Sequence, residues 1–261
     1  MIKVLFSLSL LMAFSMNSRS STITFQSGPE QTALLELYTS EGCSSCPPAE
    51  KWLSGLKNSP GLWKDFVPVA FHVDYWDHLG WRDPFADPEF SDRQFAYAKN
   101  WHSENVYTPA FVLNGKEWSG WMLQKGGPKK SSLKAGMLTV SSSETDRWQV
   151  TFEPAPGREG SFEIHTVLLV NDVSSDVKAG ENRGRHLNHD FAVKDFITVP
   201  LKHSGDVYQG RFVLRQSTGE ATNNAIAVWI TPKDSLEVVQ ATGGWIVPSS
   251  AGSEIQKIPA K

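Results

Sequence analysis

The sequence predicts an α/β unit followed by an antiparallel β unit. Three observations carry that prediction. Through about residue 140, apolar strand-like segments alternate with helical patterns, an order that favours a layered α/β sheet. Beyond residue 145, short β-rich segments follow one another across polar or glycine-containing turns, as in a small β-sandwich. Hydrophobic residues make up 40% of the 261-residue chain, enough for a substantial core, and the length suits one large domain or two ordinary ones.

The net charge of −3 gives no basic footprint, which excludes nucleic acid as an expected partner. Residues 1–20 read as an export signal. Lys3 supplies the positive start, Val4 to Met16 an apolar stretch broken by serines, and Asn17-Ser18-Arg19-Ser20 a small polar boundary. The apolar run is short for a bilayer span, so a cleaved leader and a periplasmic or secreted bacterial protein are expected, not spanning a membrane after cleavage. No cysteine follows the stretch, which argues against a lipid anchor.

The first unit is expected over residues 28–140. Ala33–Thr39 is apolar and strand-like. Residues 47–57 carry a helical pattern through Ala49, Trp52, Leu53 and Leu56, stopped by Asn58-Ser59-Pro60-Gly61. Residues 66–74 read as a second buried strand. An aromatic and acidic loop runs over residues 75–85, and residues 88–101 are helical. A short strand ends at Leu113. Asn114-Gly115 is a hairpin turn, because type I′ turns need positive φ at both centres. Residues 116–121 form the return strand, and a short helix near residues 131–135 closes the β-α-β-α-β-β-α order. The boundary falls near residues 141–144. The β-rich unit over residues 145–247 is read as six strands, and residues 248–261 as a disordered tail.

The two cysteines of the chain sit together as Cys43-Ser44-Ser45-Cys46, where the first strand gives way to the first helix. A C-x-x-C pair in that place is a redox site: Cys43 reads as the exposed attacking thiol and Cys46 as the resolving one. Export favours finding them oxidised, as a Cys43–Cys46 disulfide. The alternative is an inert disulfide bracing the turn, although so short a loop gives a disulfide little entropic value. Pro47 and Pro48 favour a helix that begins at Pro47, which leaves Cys43 in the preceding loop.

Tyr107-Thr108-Pro109-Ala110 places a proline directly before an apolar strand. With the β-α-β order and the C-x-x-C turn, this resembles the thioredoxin-like superfamily. That resemblance implies a cis peptide at Pro109, with the Thr108 backbone facing the dithiol and able to bind an extended peptide. A closer resemblance covers nearly the whole chain after the leader. It rests on residues 35–49 from Leu35 through Glu36, Tyr38, Cys43 and Cys46 to Ala49, and on His72-Val73-Asp74-Tyr75-Trp76-Asp77. It rests also on Gly80-Trp81-Arg82-Asp83-Pro84-Phe85, Val106-Tyr107-Thr108-Pro109 and Gly180-Glu181-Asn182-Arg183-Gly184-Arg185. These segments are similar to the DUF1223 family of exported bacterial proteins. The resemblance implies a thioredoxin-like domain with an appended β domain, but no reaction. The Ser-Ser between the cysteines departs from better-understood thioredoxins, so neither oxidase nor reductase follows.

Glu36, on an otherwise apolar strand, reads either as a buried proton relay for the cysteines or as a carboxylate paired with a cation. Asp74, Tyr75 and Trp76 end the second strand, where ligand sites of α/β sheets form. With Trp81 they read as a substrate cleft, or as a loop packed over its own core. His72, His78 and His102 are not spaced as a metal motif, and two cysteines are too few for structural zinc. Arg183, Arg185, His186, His189 and Asp190 read as one polar loop, in which His186 and His189 could be metal ligands or the loop could bind an anion, against the commoner reading of a solvated turn. No metal and no cofactor are expected. The sequence therefore predicts an exported thiol–disulfide oxidoreductase whose partner is a protein or a small thiol or disulfide. The alternative is a non-enzymatic binding module that handles metal or binds protein on the same scaffold.

Overall fold

The structure is a computed structural model that describes residues 22–123, 126–143, 146–214 and 223–246. The leader expected over residues 1–20 and the tail expected over 248–261 lie outside these residues. The chain folds as a mixed α/β protein rich in strands. In order run β1 (Ile23–Gln26), β2 (Ala33–Thr39), α1 (Pro47–Gly55), β3 (Phe66–His72), α2 (Pro88–Asn100), β4 (Ala110–Leu113) and β5 (Lys116–Glu117). Then follow β6 (Gly136–Ser142), β7 (Arg147–Pro154), β8 (Phe162–Val170), β9 (Val173–Asp176) and β10 (His186–His189). The last strands are β11 (Ala192–Pro200), β12 (Lys202–Ser204), β13 (Val207–Val213), β14 (Asn224–Pro232) and β15 (Gln240–Ile246). Among the described residues no helix is long and apolar enough to cross a membrane.

Eight strands join in one sheet, ordered β15-β14-β8-β11-β3-β2-β4-β5. Strands from both halves of the chain therefore hydrogen-bond into a single sheet. The join is parallel and short: Ala192 of β11 lies against Ala70 of β3, and the Ala70 N–H donates to Phe191 O at 2.8 Å. A five-stranded sheet, β1-β6-β7-β13-β12, packs on one face of the β8–β14–β15 region through Trp148, Phe152, Tyr208, Ile226 and Val228. A separate hairpin pairs β9 with β10.

Strands β2 and β3 are buried at all seven positions, which is what continuous apolar runs in a parallel pair require. Both helices begin on proline, whose missing N–H has no partner to lose in a first turn. Asp87 caps α2 by accepting from the Glu89 N–H. Asn114 and Gly115 take φ of 49° and 85°, as the hairpin turn demands.

Two expected elements differ. The helix near residues 131–135 is absent. Glu30 and Lys134 instead form a β-bridge, the Gln31 N–H donates to Leu133 O, and the segment runs extended into β6. Gly136 opens that strand at φ 101°, where a Cβ would sit 2.2 Å from Glu153 O, so only glycine fits. The return strand stops at Glu117, not residue 121, because the chain turns into a single 3₁₀ turn at Gly120–Met122.

Candidate functional site

The C-x-x-C turn hangs between the end of β2 and the start of α1. The helix begins at Pro47 with Cys46 as its N-cap, so Cys43 lies in the preceding turn. The Cys43 N–H donates to Ser40 O at 3.1 Å and the Cys46 N–H to Cys43 O at 3.2 Å, which winds the turn tightly.

Both cysteines are free thiols, with Sγ atoms 2.6 Å apart, against about 2.05 Å for a disulfide bond. The expected Cys43–Cys46 disulfide is therefore corrected to an open dithiol whose sulfurs share a hydrogen bond. That bond from Cys46 draws the Cys43 thiol down to about 6, against its burial, and Ser45 Oγ at 3.2 Å adds to the effect. Burial and the neighbouring Cys43 sulfur push Cys46 far up. The two groups are thus driven apart, Cys43 toward thiolate and Cys46 toward thiol.

Cys43 is not the exposed thiol that was expected: it is 1% exposed. Two segments cover it. Trp76, from the loop after β3, lies so close to Gly42 that a Cβ there would meet Trp76 Cβ at 2.8 Å. From the β9–β10 hairpin, Asn182 donates to Glu41 O and Cys43 O at 2.8 and 2.9 Å. Beside it, Glu181 Oε2 accepts from the Ser44 N–H at 2.9 Å. Ser44 and Ser45 stay exposed at the rim.

Thr108–Pro109 is a cis peptide immediately before β4. Thr108 O lies 3.7 Å from Cys43 Sγ and accepts from Ser45 Oγ at 3.4 Å. The Trp76 indole donates to Thr108 Oγ1 at 2.8 Å. Cys43, Cys46, Thr108, Pro109 and Trp76 thus meet in space. Tyr75 lies near enough that both cysteines, after burial, help raise its phenol pKa, and its hydroxyl donates to Gln94. Asp74 turns to α2, where its carboxylate accepts from the Ser91 hydroxyl. Trp81 donates to Glu41 Oε2 at 2.6 Å.

Glu36 faces the other side of the sheet from Thr39, since side chains alternate along β2. Its carboxylate accepts from Arg93 Nε at 2.8 Å, from Tyr38 and from Tyr97, all buried. The Arg93 guanidinium is held over the rings of Phe71, Tyr97, Phe196 and Trp229 at 5.3–5.7 Å. The paired-carboxylate reading of Glu36 fits this geometry.

Beside Cys46 lies a carboxylate that sequence reasoning did not single out. Glu50 of α1 accepts from Thr39 Oγ1 at 2.5 Å, and Thr39 lies near enough to Cys46 to draw its thiol down somewhat against burial. His189 spans Glu50 Oε2 at 2.6 Å and Glu41 Oε1 at 2.9 Å. His72 bonds Asp83 through Nδ1 at 2.8 Å. His189 does not belong to a solvated loop, as was expected. It is the last residue of β10, whose e-B-e-B burial turns Leu187 and His189 inward together. That alternation was legible beside an apolar Leu187. His186 pairs with Asp176 and Asp190 with Lys57 at the surface, Arg185 bonds Asn182, and His78 and His102 are exposed.

The chain matches, over residues 34–231, a family described as a protein of unknown function, DUF1223. No curated protein matches it. Two solved structures share its fold. One is protein AGR_C_4864 from Agrobacterium tumefaciens, 21% identical, TM-score 0.57, aligned over 88% of this chain and 99% of that one. The other is HBP35 of Porphyromonas gingivalis, 12% identical, TM-score 0.59, over 89% of this chain and 81% of that one. The family match spans most of the chain, including the C-x-x-C turn, Thr108-Pro109 and the 180–185 segment that closes over the cysteines: the chain belongs to the DUF1223 family.

Proposed function

We propose that the protein is a thiol–disulfide oxidoreductase built on a thioredoxin-like unit, with Cys43 as nucleophile and Cys46 as resolving thiol. The single observation that carries this reading is the asymmetry of the pair: a Cys43 thiol lowered to about 6 lies beside a Cys46 thiol held far higher. Support for the unit comes from the run β2-α1-β3-α2-β4-β5. Its strands are ordered β3-β2-β4-β5, with β2 and β3 parallel, and Pro109 precedes β4. The reading includes export, on the leader-like segment over residues 1–20.

In the reducing direction the Cys43 thiolate attacks one sulfur of a substrate disulfide. A Cys43–substrate S–S bond forms and the first substrate sulfur leaves as a thiolate, which takes a proton from solvent. Cys46 then attacks Cys43 Sγ. Its proton passes through Thr39 Oγ1, which bonds the Glu50 carboxylate. The second substrate sulfur leaves with that proton, the substrate has gained two electrons, and the protein holds a Cys43–Cys46 disulfide. The oxidising direction is the reverse. Thr108 O, next to Cys43, offers an extended substrate a backbone acceptor. Because Cys43 is buried beneath Asn182 and Trp76, substrate entry requires the 180–185 segment to move aside.

Mixed-disulfide trapping tests this. The Cys46→Ser variant, incubated with glutathione disulfide, should hold one glutathione on Cys43, and Cys43→Ser should hold far less. Equal or absent trapping in both variants contradicts the assignment.

A further inference from the structure

A buried ionisable cluster adjoins the dithiol. Glu41, Glu50, Asp83, His72 and His189 are each at most 7% exposed. His72 Nδ1 is backed by Asp83, and His189 lies between two carboxylates, with Nε2 against Glu41 and Nδ1 against Glu50. Such a backing fixes the tautomer and turns the opposite nitrogen forward as a donor of its lone pair. For His72 that forward nitrogen, Nε2, is buried and has no hydrogen-bond partner among the described residues. For His189 it is Nδ1, which faces Glu50 Oε2. One ligand atom from each of Glu50, His72 and His189 lies within 4.8 Å of the others.

We propose that Glu50, His72 and His189 bind one divalent transition-metal ion of the zinc class. His72 Nε2, His189 Nδ1 and Glu50 Oε2 are the ligands, and Asp83 and Glu41 orient the two rings. Two imidazoles and a carboxylate suit zinc with a fourth position left open, whereas calcium and magnesium favour oxygen alone. Tetrahedral ligands about 2.0–2.1 Å from zinc stand roughly 3.3 Å apart, so modest side-chain rotation closes the set. The metal–nitrogen bond at His189 forms as the proton shared with Glu50 leaves to solvent. Phe85 lies tilted beside both rings, its centroid 5.3 Å from His72 and 5.2 Å from His189, and shields the site on that side. Neither cysteine is a ligand, and the site shares only Glu50 with the proton path proposed for Cys46: the metal takes Oε2, while Thr39 bonds Oε1.

The test uses the full chain, purified without a metal-binding tag and stripped with EDTA, then titrated calorimetrically with zinc chloride. One equivalent should bind. The Cys43→Ser/Cys46→Ser double variant should bind the same equivalent, Asp83→Asn should bind about 10–100-fold more weakly, and His72→Gln should lose stoichiometric binding. If circular dichroism shows that His72→Gln does not fold, the cobalt(II) form of the wild type decides. Visible d–d bands without thiolate charge transfer support the site, and thiolate charge transfer overturns it. No saturable zinc binding by the wild type, or binding that is lost with the two cysteines in a folded double variant, also overturns it.

Discussion

Asn182 holds Cys43 in place from the other half of the chain: its amide donates to Cys43 O at 2.9 Å across 139 residues, and to Glu41 O as well. A side chain on the β9–β10 hairpin thus caps the turn that carries the dithiol through two main-chain carbonyls, of which Cys43 O also accepts from the Cys46 N–H.

Asn182→Ala should release that cap. Glu41 O loses its donor while Cys43 O keeps the Cys46 N–H, and one unsatisfied buried carbonyl costs about 1–3 kcal/mol where water does not replace the donor. Chemical denaturation should show a loss within that range. Iodoacetamide should label Cys43 of the reduced variant several-fold faster than in the wild type at the same pH. Unchanged labelling would mean that the 180–185 segment does not control access.

Cys43 should titrate well below an ordinary thiol. Its thiolate ultraviolet absorbance in the Cys46→Ala protein should rise with a midpoint above 6, because the hydrogen bond from Cys46 is the largest cause of the lowering and alanine has no donor there. In the reduced wild type the midpoint should lie near 6, against about 8.5 for a free cysteine. A wild-type midpoint at or above 8.5 would contradict the asymmetry.

Arg93→Ala should leave Glu36 charged and buried with only two tyrosine donors. Breaking a buried pair from one side costs about 3–5 kcal/mol, to be read from the denaturation midpoint. Arg93→Lys should recover little of that loss, since lysine lacks the planar guanidinium that lies over the Phe196 and Trp229 rings. Thiol chemistry in a folded Arg93 variant should persist, because Glu36 lies on the opposite face of β2 from Thr39.

His165 should make the fold acid-sensitive. Burial, then the Arg93 charge, holds its pKa down to about 3, while Thr198 and Thr231 occupy its two nitrogens. The unfolded imidazole, near 6.5, binds a proton that the folded one refuses. Stability from this residue is therefore complete above about 6.5 and lost as pH falls toward 3, by up to about 1.4 kcal/mol per pH unit. His165→Asn should show a shallower fall in stability between those limits than the wild type.

The elements that carry the dithiol were legible because their signals are local. The seven-residue apolar runs of β2 and β3, prolines at the first turns of α1 and α2, and Asn114-Gly115 each specify structure within a few residues. The β9–β10 hairpin carried a weaker signal, only the alternation that turns Leu187 and His189 inward. Glu50 could have been suspected from its place one turn before Leu53 on the buried face of α1. His189 could have been read as inward-facing beside Leu187, but its bond to Glu50 could not, because it joins residues 139 apart. The same separation hid Asn182, and with it the burial of Cys43. The charge pair of Glu36 was open as one of two readings, and only the packing of α2 against β2 brings Arg93 to it.

The reduction potential of the Cys43–Cys46 pair, measured in glutathione or dithiothreitol redox buffers, tests the central claim most directly. A redox-active pair should give a reversible two-electron couple between about −270 mV, near thioredoxin, and about −120 mV, near a strong oxidant. A couple below about −300 mV, in the range of structural disulfides, or no reversible couple at all, would contradict a catalytic dithiol.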